Sequence, residues 1–132
     1  MQKRIHVAVG VIINQHQQIL LAKRHGHLHQ GGKWEFPGGK VEENETVTEA
    51  LIRELKEEVN LDVVSSSPFM DISHNYPDKH VRLDIHLVTD FSNEAKGMEQ
   101  QQIEWVPFSQ LVDYDFPEAN KPIVDKILSE LT

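Results

Sequence analysis

The sequence predicts an α/β fold of the α+β type: a mixed β-sheet sandwiched between helices, in one domain over residues 1–132. Three observations carry this expectation. Short runs rich in Val and Ile recur along the chain, bounded by polar turn residues. Two segments, one beginning near Val47 and one closing the chain, space their apolar residues helically instead. The two kinds interleave without regular βαβ alternation, which points to a mixed sheet flanked by helices.

Ile5 to Ile13 and Ile19 to Ala22 are β-prone and separated by a polar turn around Asn14 to Gln18, which predicts a hairpin. Basic residues precede the first run (MQKRIHVAVGVII), as in a targeting segment, but Asn14-Gln-His-Gln-Gln follows where small cleavage-site residues belong. A core strand is the expectation. Arg24 to Lys33, rich in Gly and His, reads as a loop. Trp34-Glu35-Phe36 is a brief extended piece, ended by a turn at Pro37-Gly38-Gly39 whose glycines let backbone approach a ligand. Thr46 and Glu49 form a capping box, so a helix starts at about Val47, with Val47, Leu51, Leu55 and Val59 as its apolar stripe. Strands follow at Leu61 to Ser65, Met70 to His74 and Val81 to Asp90, the last alternating Val81, Leu83, Ile85, Leu87. After a polar loop from Phe91 to Gln102 come a short strand, Ile103 to Pro107, and a helix from about Ala119 or Asn120 to Leu131.

Composition narrows the function classes. At 39% hydrophobic over 132 residues the chain can build a core without staples. Cysteine is absent, which excludes disulfides, thiolate zinc sites and a cysteine nucleophile, and fits a reducing cytoplasm. A net charge of −8 repels a nucleic-acid backbone, so no nucleic-acid partner is expected. No apolar run approaches the ~20 residues of a membrane helix. Small size and polar loops favour a monomer.

The chemistry concentrates between Gly39 and Leu61 (GKVEENETVTEALIRELKEEVNL). Glu54, Glu57 and Glu58, at i, i+3 and i+4, stack on one helical face, where each like-charged pair costs roughly 0.2 to 0.5 kcal/mol. A hard divalent cation would relieve them, and Mg²⁺ there would invert the local field and admit a phosphorylated substrate. Taken alone, such a run can equally be a solvated face.

Gly39, five residues, Glu45, seven residues, then Arg53-Glu54-Leu55-Lys56-Glu57-Glu58-Val59-Asn60-Leu61 resembles the signature of the Nudix hydrolases. Asn60 stands where that family usually has glycine, a mild departure because Asn readily takes the left-handed conformation of a helix C-cap. The likeness continues through Val9-Gly10-Val11-Ile12, Trp34 to Lys40, Tyr76 to His80, Glu104-Trp105 and Asp115 to Asn120, which look like segments of the MutT-type members that hydrolyse 8-oxo-dGTP.

The resemblance implies a Nudix fold and a magnesium-dependent enzyme releasing nucleoside monophosphate and pyrophosphate, with Mn²⁺ a possible substitute. It implies that Glu54, Glu57, Glu58 and Glu99, with the backbone carbonyl of Gly38, serve as metal ligands or general base. Glu54 is favoured as base, with Glu99 the alternative. Arg53 orients a catalytic carboxylate and Glu45 is structural. For phosphate contacts, Arg24 and His29 match positions near the nucleotide, with Lys79 assisting, and Glu35, Phe36, Pro37, Gly38 and Asn120 match the segment and residue that read the purine.

Plainer readings stand beside several of these. His25, His27 and His29 suggest a zinc cluster but lack a companion Cys. Asn120 alone could be the N-cap of the last helix. Glu99 could be an ordinary loop glutamate, and Trp34 and Trp105 read as packing residues rather than base platforms.

Overall fold

A computed structural model of the chain describes residues 5–24 and 32–131. Its strands are β1 (Ile5–Ile12), β2 (Gln18–Lys23), β3 (Trp34–Glu35), β4 (Gly38–Lys40), β5 (Asp62–Asn75), β6 (His80–Ser92) and β7 (Ile103–Pro107). Its α-helices are α1 (Val47–Val59) and α2 (Lys121–Glu130), with short 3₁₀ turns at Phe108–Asp113 and Glu118–Asn120. One sheet is mixed, in the order β4-β1-β6-β5, and β1 runs parallel to β6 at its centre. The other, in the order β3-β2-β7, is antiparallel.

The period-2 geometry of β1 sends successive side chains to opposite faces. Val9 and Val11 enter a core shared with Leu83 and Ile85 of β6 and with Ile123 and Ile127 of α2. Ala8 and Ile12 enter a second core with Leu51, Leu55 and Val59 of α1. A strand apolar on both faces needs cover on both, which is why helices enclose the sheet system. Gly10 allows α1 to come close: a Cβ there would stand 3.1 Å from Leu55 Cδ1.

The helix α1 begins as expected. Thr46 Oγ1 accepts the Glu49 N–H at 3.1 Å, and Glu49 Oε1 accepts the Thr46 N–H at 2.8 Å. It ends on Asn60 at φ 65° and ψ 22°, the left-handed cap that the sequence anticipates in place of glycine.

Four expectations are corrected. The predicted hairpin joins strands of different sheets, linked by an isolated bridge between Ile13 and Ile19 and by the hydrogen bonds of the Asn14 to Gln18 turn rather than by a ladder. Both strands are buried on both faces, so each takes an interior place, β1 between β4 and β6 in one sheet and β2 between β3 and β7 in the other. The predicted turn at Pro37-Gly38-Gly39 becomes strand at Gly38, since β4 pairs with β1. The separate strands at Leu61 to Ser65 and Met70 to His74 are one strand, β5, with register shifts between Val63 and Ser65, Ser65 and Ser67, and Pro68 and Met70. Such irregularities and a proline are tolerated because β5 is an edge. The last helix starts at Lys121, after a 3₁₀ turn, and the 3₁₀ turn at Phe108–Asp113 had no sequence signal. Among the described residues, no helix is long and apolar enough to cross a membrane.

Candidate active site

The carboxylates of α1 meet β4 and the loop before β7. Glu58, only 7% exposed, accepts the Gly38 N–H at 3.2 Å. Its backbone carbonyl accepts the Met98 N–H at 3.0 Å and Gln101 Nε2 at 3.1 Å, and Lys96 N–H donates to Val59 O at 2.9 Å. These bonds hook the loop carrying Glu99 onto the end of the helix. Gln101 then accepts the Glu99 N–H through Oε1 at 2.9 Å, so one side-chain amide joins Glu58 to Glu99.

Arg53 holds the other side of the cluster. Its Nε and Nη2 reach both oxygens of Glu45 at 2.9 and 3.0 Å, Nη2 also reaches Lys40 O at 3.0 Å, and Nη1 reaches Glu54 at 2.8 Å. Its contact with the exposed Glu57 is longer, 3.4 Å. The hydrogen bonds from Arg53 draw the Glu45 carboxyl down to about 2, and the carboxylates hold the guanidinium further toward its charged form.

The remaining carboxylates move the other way. Burial pushes Glu58 well above the usual carboxylate range, with the charges of Glu35, Glu99 and Glu54 adding to it and the Gly38 N–H opposing. Burial also raises Glu54 against the pull of Arg53, and Glu57 and Glu99 raise it further. Glu35 rises by burial although it is ion-paired with Arg24. Glu35, Glu54, Glu58 and Glu99 therefore share one strongly negative field. Among the described residues, no three Asp, Glu or His side chains converge into a ready-made metal cage. The donors are nevertheless all hard oxygens, the set that suits Mg²⁺ rather than a thiophilic metal, and their mutual repulsion leaves charge for a cation to neutralise.

Beside this field lies a cleft of about 260 Å³. Of the expected substrate residues, Arg24, Glu35, Phe36, Gly38, Lys79 and Asn120 line it. Pro37 does not: its carbonyl accepts the Gly10 N–H at 2.8 Å, anchoring the segment to β1. His29 lies outside the described residues, as do His25 and His27. Asn120 is 9% exposed, stands at the N-cap of α2 and makes no capping bond through its side chain. Helical φ and ψ of −90° and −15° at Asn120, where a capping residue is normally extended, account for this. Trp34 packs edge-on against Tyr114 and Trp105 stacks on Phe91, as packing residues do.

Several cleft residues carried no assigned role in the sequence reading. Val7 and Val9 of β1 with Val81 and Leu83 of β6 make an apolar floor, and Lys40, Tyr76, Pro117 and Ala119 complete the walls. The floor was discoverable, because the odd-numbered residues of both strands alternate onto one face. Lys40 and Tyr76 offered no comparable spacing.

Known proteins match this architecture. The family model described as NUDIX domain matches residues 8–126. A protein of Escherichia coli (strain K12) named 8-oxo-dGTP diphosphatase is 38% identical over 125 residues, covering 95% of this chain and 97% of its own length. One of the same name from Proteus vulgaris is 45% identical over 93 residues, covering 70% and 83%. A solved MutT structure, from work on Aliivibrio salmonicida and Vibrio cholerae, superposes with a TM-score of 0.85 at 40% identity, covering 97% of this chain and 99% of that one. A glutamate-bearing helix laid against a mixed sheet, matched by that family model over most of its length, makes this chain a member of the NUDIX domain family, whose enzymes generally need a divalent metal and act on small nucleotide substrates.

Proposed function

We propose that the protein hydrolyses 8-oxo-dGTP and related oxidised guanine nucleotides to the nucleoside monophosphate and pyrophosphate, cleansing the nucleotide pool and preventing replication errors. One observation carries the reading beyond family membership. Asn120 presents a buried side-chain amide, with no hydrogen-bond partner among the described residues, at the wall of a cleft that adjoins the carboxylate cluster. An amide oxygen facing the purine N7 position accepts from the N–H that oxidation at C8 creates there and opposes the lone pair of the undamaged base. Such a buried polar mismatch discriminates by ~10⁴ or more.

Glu54, Glu57, Glu58 and Glu99, with the Gly38 carbonyl, would hold Mg²⁺, and Mn²⁺ is its expected substitute. Bound there, the ion offsets the triphosphate charge and acidifies water. Glu54 takes the proton of the water that attacks the β-phosphorus. The bond from that phosphorus to the oxygen it shares with the α-phosphorus breaks, that oxygen leaving with the monophosphate while the attacking oxygen stays on the pyrophosphate. The Arg53 guanidinium at 2.8 Å and the lack of a side chain on Gly39 hold and make room for the Glu54 carboxylate in that role. Glu99 is the alternative base, sharing the same field.

Arg24 and Lys79 meet the phosphates from the cleft wall, Arg24 by exchanging its bond to Glu35 for a phosphate oxygen. His29 joins them by resemblance. Glu35, Phe36 and Gly38 border the base, and Pro37 supports them. The domain spanning residues 1–132 works as a monomer, cytoplasmic like the nucleotide pool it serves and without a nucleic-acid partner.

The test is kcat/KM for 8-oxo-dGTP against dGTP, CTP and dATP with Mg²⁺, following monophosphate and pyrophosphate, with Glu54→Gln alongside. A preference of several orders of magnitude for the oxidised nucleotide, abolished in the variant, is expected. Equal or better turnover of an undamaged nucleotide would reassign the substrate.

A further inference from the structure

Tyr76 stands where the end of β5 turns toward β6, and its hydroxyl reaches across the molecule. Tyr76 Oη accepts the Ala119 N–H at 2.9 Å, a buried bond between residues 43 apart in sequence. Tyr76 is 9% exposed and Ala119 2%, so water does not compete for this bond. Ala119 belongs to the 3₁₀ turn Glu118–Asn120, whose first N–H groups have no carbonyl partner inside the turn. The next amide, Asn120 N–H, closes onto Pro117 O at 2.9 Å. Two consecutive amides are thus fixed, one by backbone and one by Tyr76, immediately before the side chain that lines the cleft.

The phenol is itself held. Its ring meets the His74 ring edge-on at 4.6 Å, and its own N–H donates to Lys79 O at 2.8 Å, closing the turn that carries Lys79. Tyr76 and Asn120 both line the cleft, on segments far apart in the chain.

We propose that Tyr76 is a positioning residue for base discrimination: its hydroxyl, by accepting the Ala119 N–H, fixes where the Asn120 amide stands in the cleft. The inference rests on the reading of Asn120 given above and adds the element that sets its position. A phenylalanine would fill nearly the same volume, so packing alone asks only for the ring. The hydroxyl meets a different need, because without it the Ala119 N–H is buried with no acceptor and the turn must shift to find one. Hydrogen-bond selectivity depends steeply on distance and angle, so a shifted amide loses contrast between oxidised and undamaged base before it loses substrate.

The experiment compares wild type, Tyr76→Phe, Asn120→Ala and the double variant for kcat/KM on 8-oxo-dGTP and dGTP. Ile127→Val, a cut in the buried face of α2, serves as a stability control, with melting temperatures recorded for all. Tyr76→Phe is expected to lower the ratio of oxidised to undamaged turnover on the order of tenfold. The loss should fall mainly in KM for 8-oxo-dGTP, and the double variant should be no less selective than Asn120→Ala alone. Ile127→Val should keep the ratio whatever its melting temperature. Because both rates come from the same preparation, the ratio does not depend on how much of the enzyme is folded. A wild-type ratio near one would sink the substrate reading and this inference with it. A large wild-type ratio that Tyr76→Phe preserves, or that it and Asn120→Ala lower independently, would sink the inference alone.

Discussion

Gly39 and Glu54 occupy space that only one of them can fill: a Cβ on Gly39 would stand 2.2 Å from Glu54 Cδ and 2.3 Å from Oε2. Gly39 has no left-handed φ, so its backbone would accept alanine. What alanine displaces is the carboxylate. Gly39→Ala is therefore expected to fold, with a melting temperature within several degrees of wild type, and to lose on the order of 10²-fold in kcat as the proposed base is pushed aside. Steady-state kinetics beside a thermal melt decide it. An active Gly39→Ala would remove Glu54 from the base's role.

The raised carboxylates predict how metal and pH act on stability. Glu35, Glu54 and Glu58 hold protons more tightly in the folded chain than in the unfolded one. Their favourable contribution is complete below the ordinary value of 4.5 and is lost as pH rises through the folded values. Metal-free protein should therefore lose stability as pH climbs from about 4.5 toward neutrality. Added Mg²⁺ should restore it, by about 2.7 kcal/mol at a hundredfold excess over Kd. Glu58→Gln should flatten the pH slope and weaken the Mg²⁺ response. Chemical denaturation with and without chelator is the measurement, and a wild-type protein indifferent to both variables would contradict the shared field.

Below that window the sign reverses. Glu45, drawn down to about 2 by Arg53, contributes stability that is present above 4.5 and lost as pH falls toward about 2. Glu45→Gln should remove that part of the acid transition in urea melts. Arg53→Lys keeps the charge but cannot span two Glu45 oxygens, Glu54 and Lys40 O together. Activity should fall roughly 10- to 100-fold. Unimpaired turnover in Arg53→Lys would make the fork irrelevant.

Gln101 should matter although it touches no phosphate in the proposed mechanism. Its amide donates to Glu58 O and accepts from Glu99 N–H, so Gln101→Ala loosens the loop at Glu99 while the Met98 and Lys96 backbone bonds still tether it to α1. A fall in kcat of about tenfold is expected, the lower end for groups that orient metal-site ligands. Gln101→Glu should do worse, because it cannot donate and adds charge to an already negative site. Metal titration followed by kinetics would show the loss as weaker Mg²⁺ activation, and an unchanged metal response would dismiss the role.

Features set by neighbours in sequence were legible in advance. The capping box at Thr46 and Glu49, the apolar stripe of α1, the left-handed Asn60 and the clustered glutamates all depend on spacings of a few residues. Features set by distant partners were not. Nothing local in Asn14 to Gln18 says that β1 and β2 enter different sheets, and Gly38 looks like turn until β1 lies beside it. Pro68 and the small serines of β5 read as a gap between two strands because an edge tolerates what a central strand would reject. Asn120 reads as an N-cap until its helical backbone angles show that the side chain is otherwise placed. Tyr76 and Gln101 were silent because each acts through one long-range hydrogen bond, which leaves no period behind.

The parallel pairing of β1 with β6 sets an order on synthesis. Ile5 leaves the ribosome well before its partner Val81, which follows only after β2 to β5 and α1 have been made. The glutamate helix therefore emerges with one apolar flank and no completed central sheet to receive it. Closing so long a loop makes assembly slow compared with local helix formation. The nascent chain must wait for its second half with its buried strand still exposed, which makes the interval before β6 appears the period when chaperones have the most to cover.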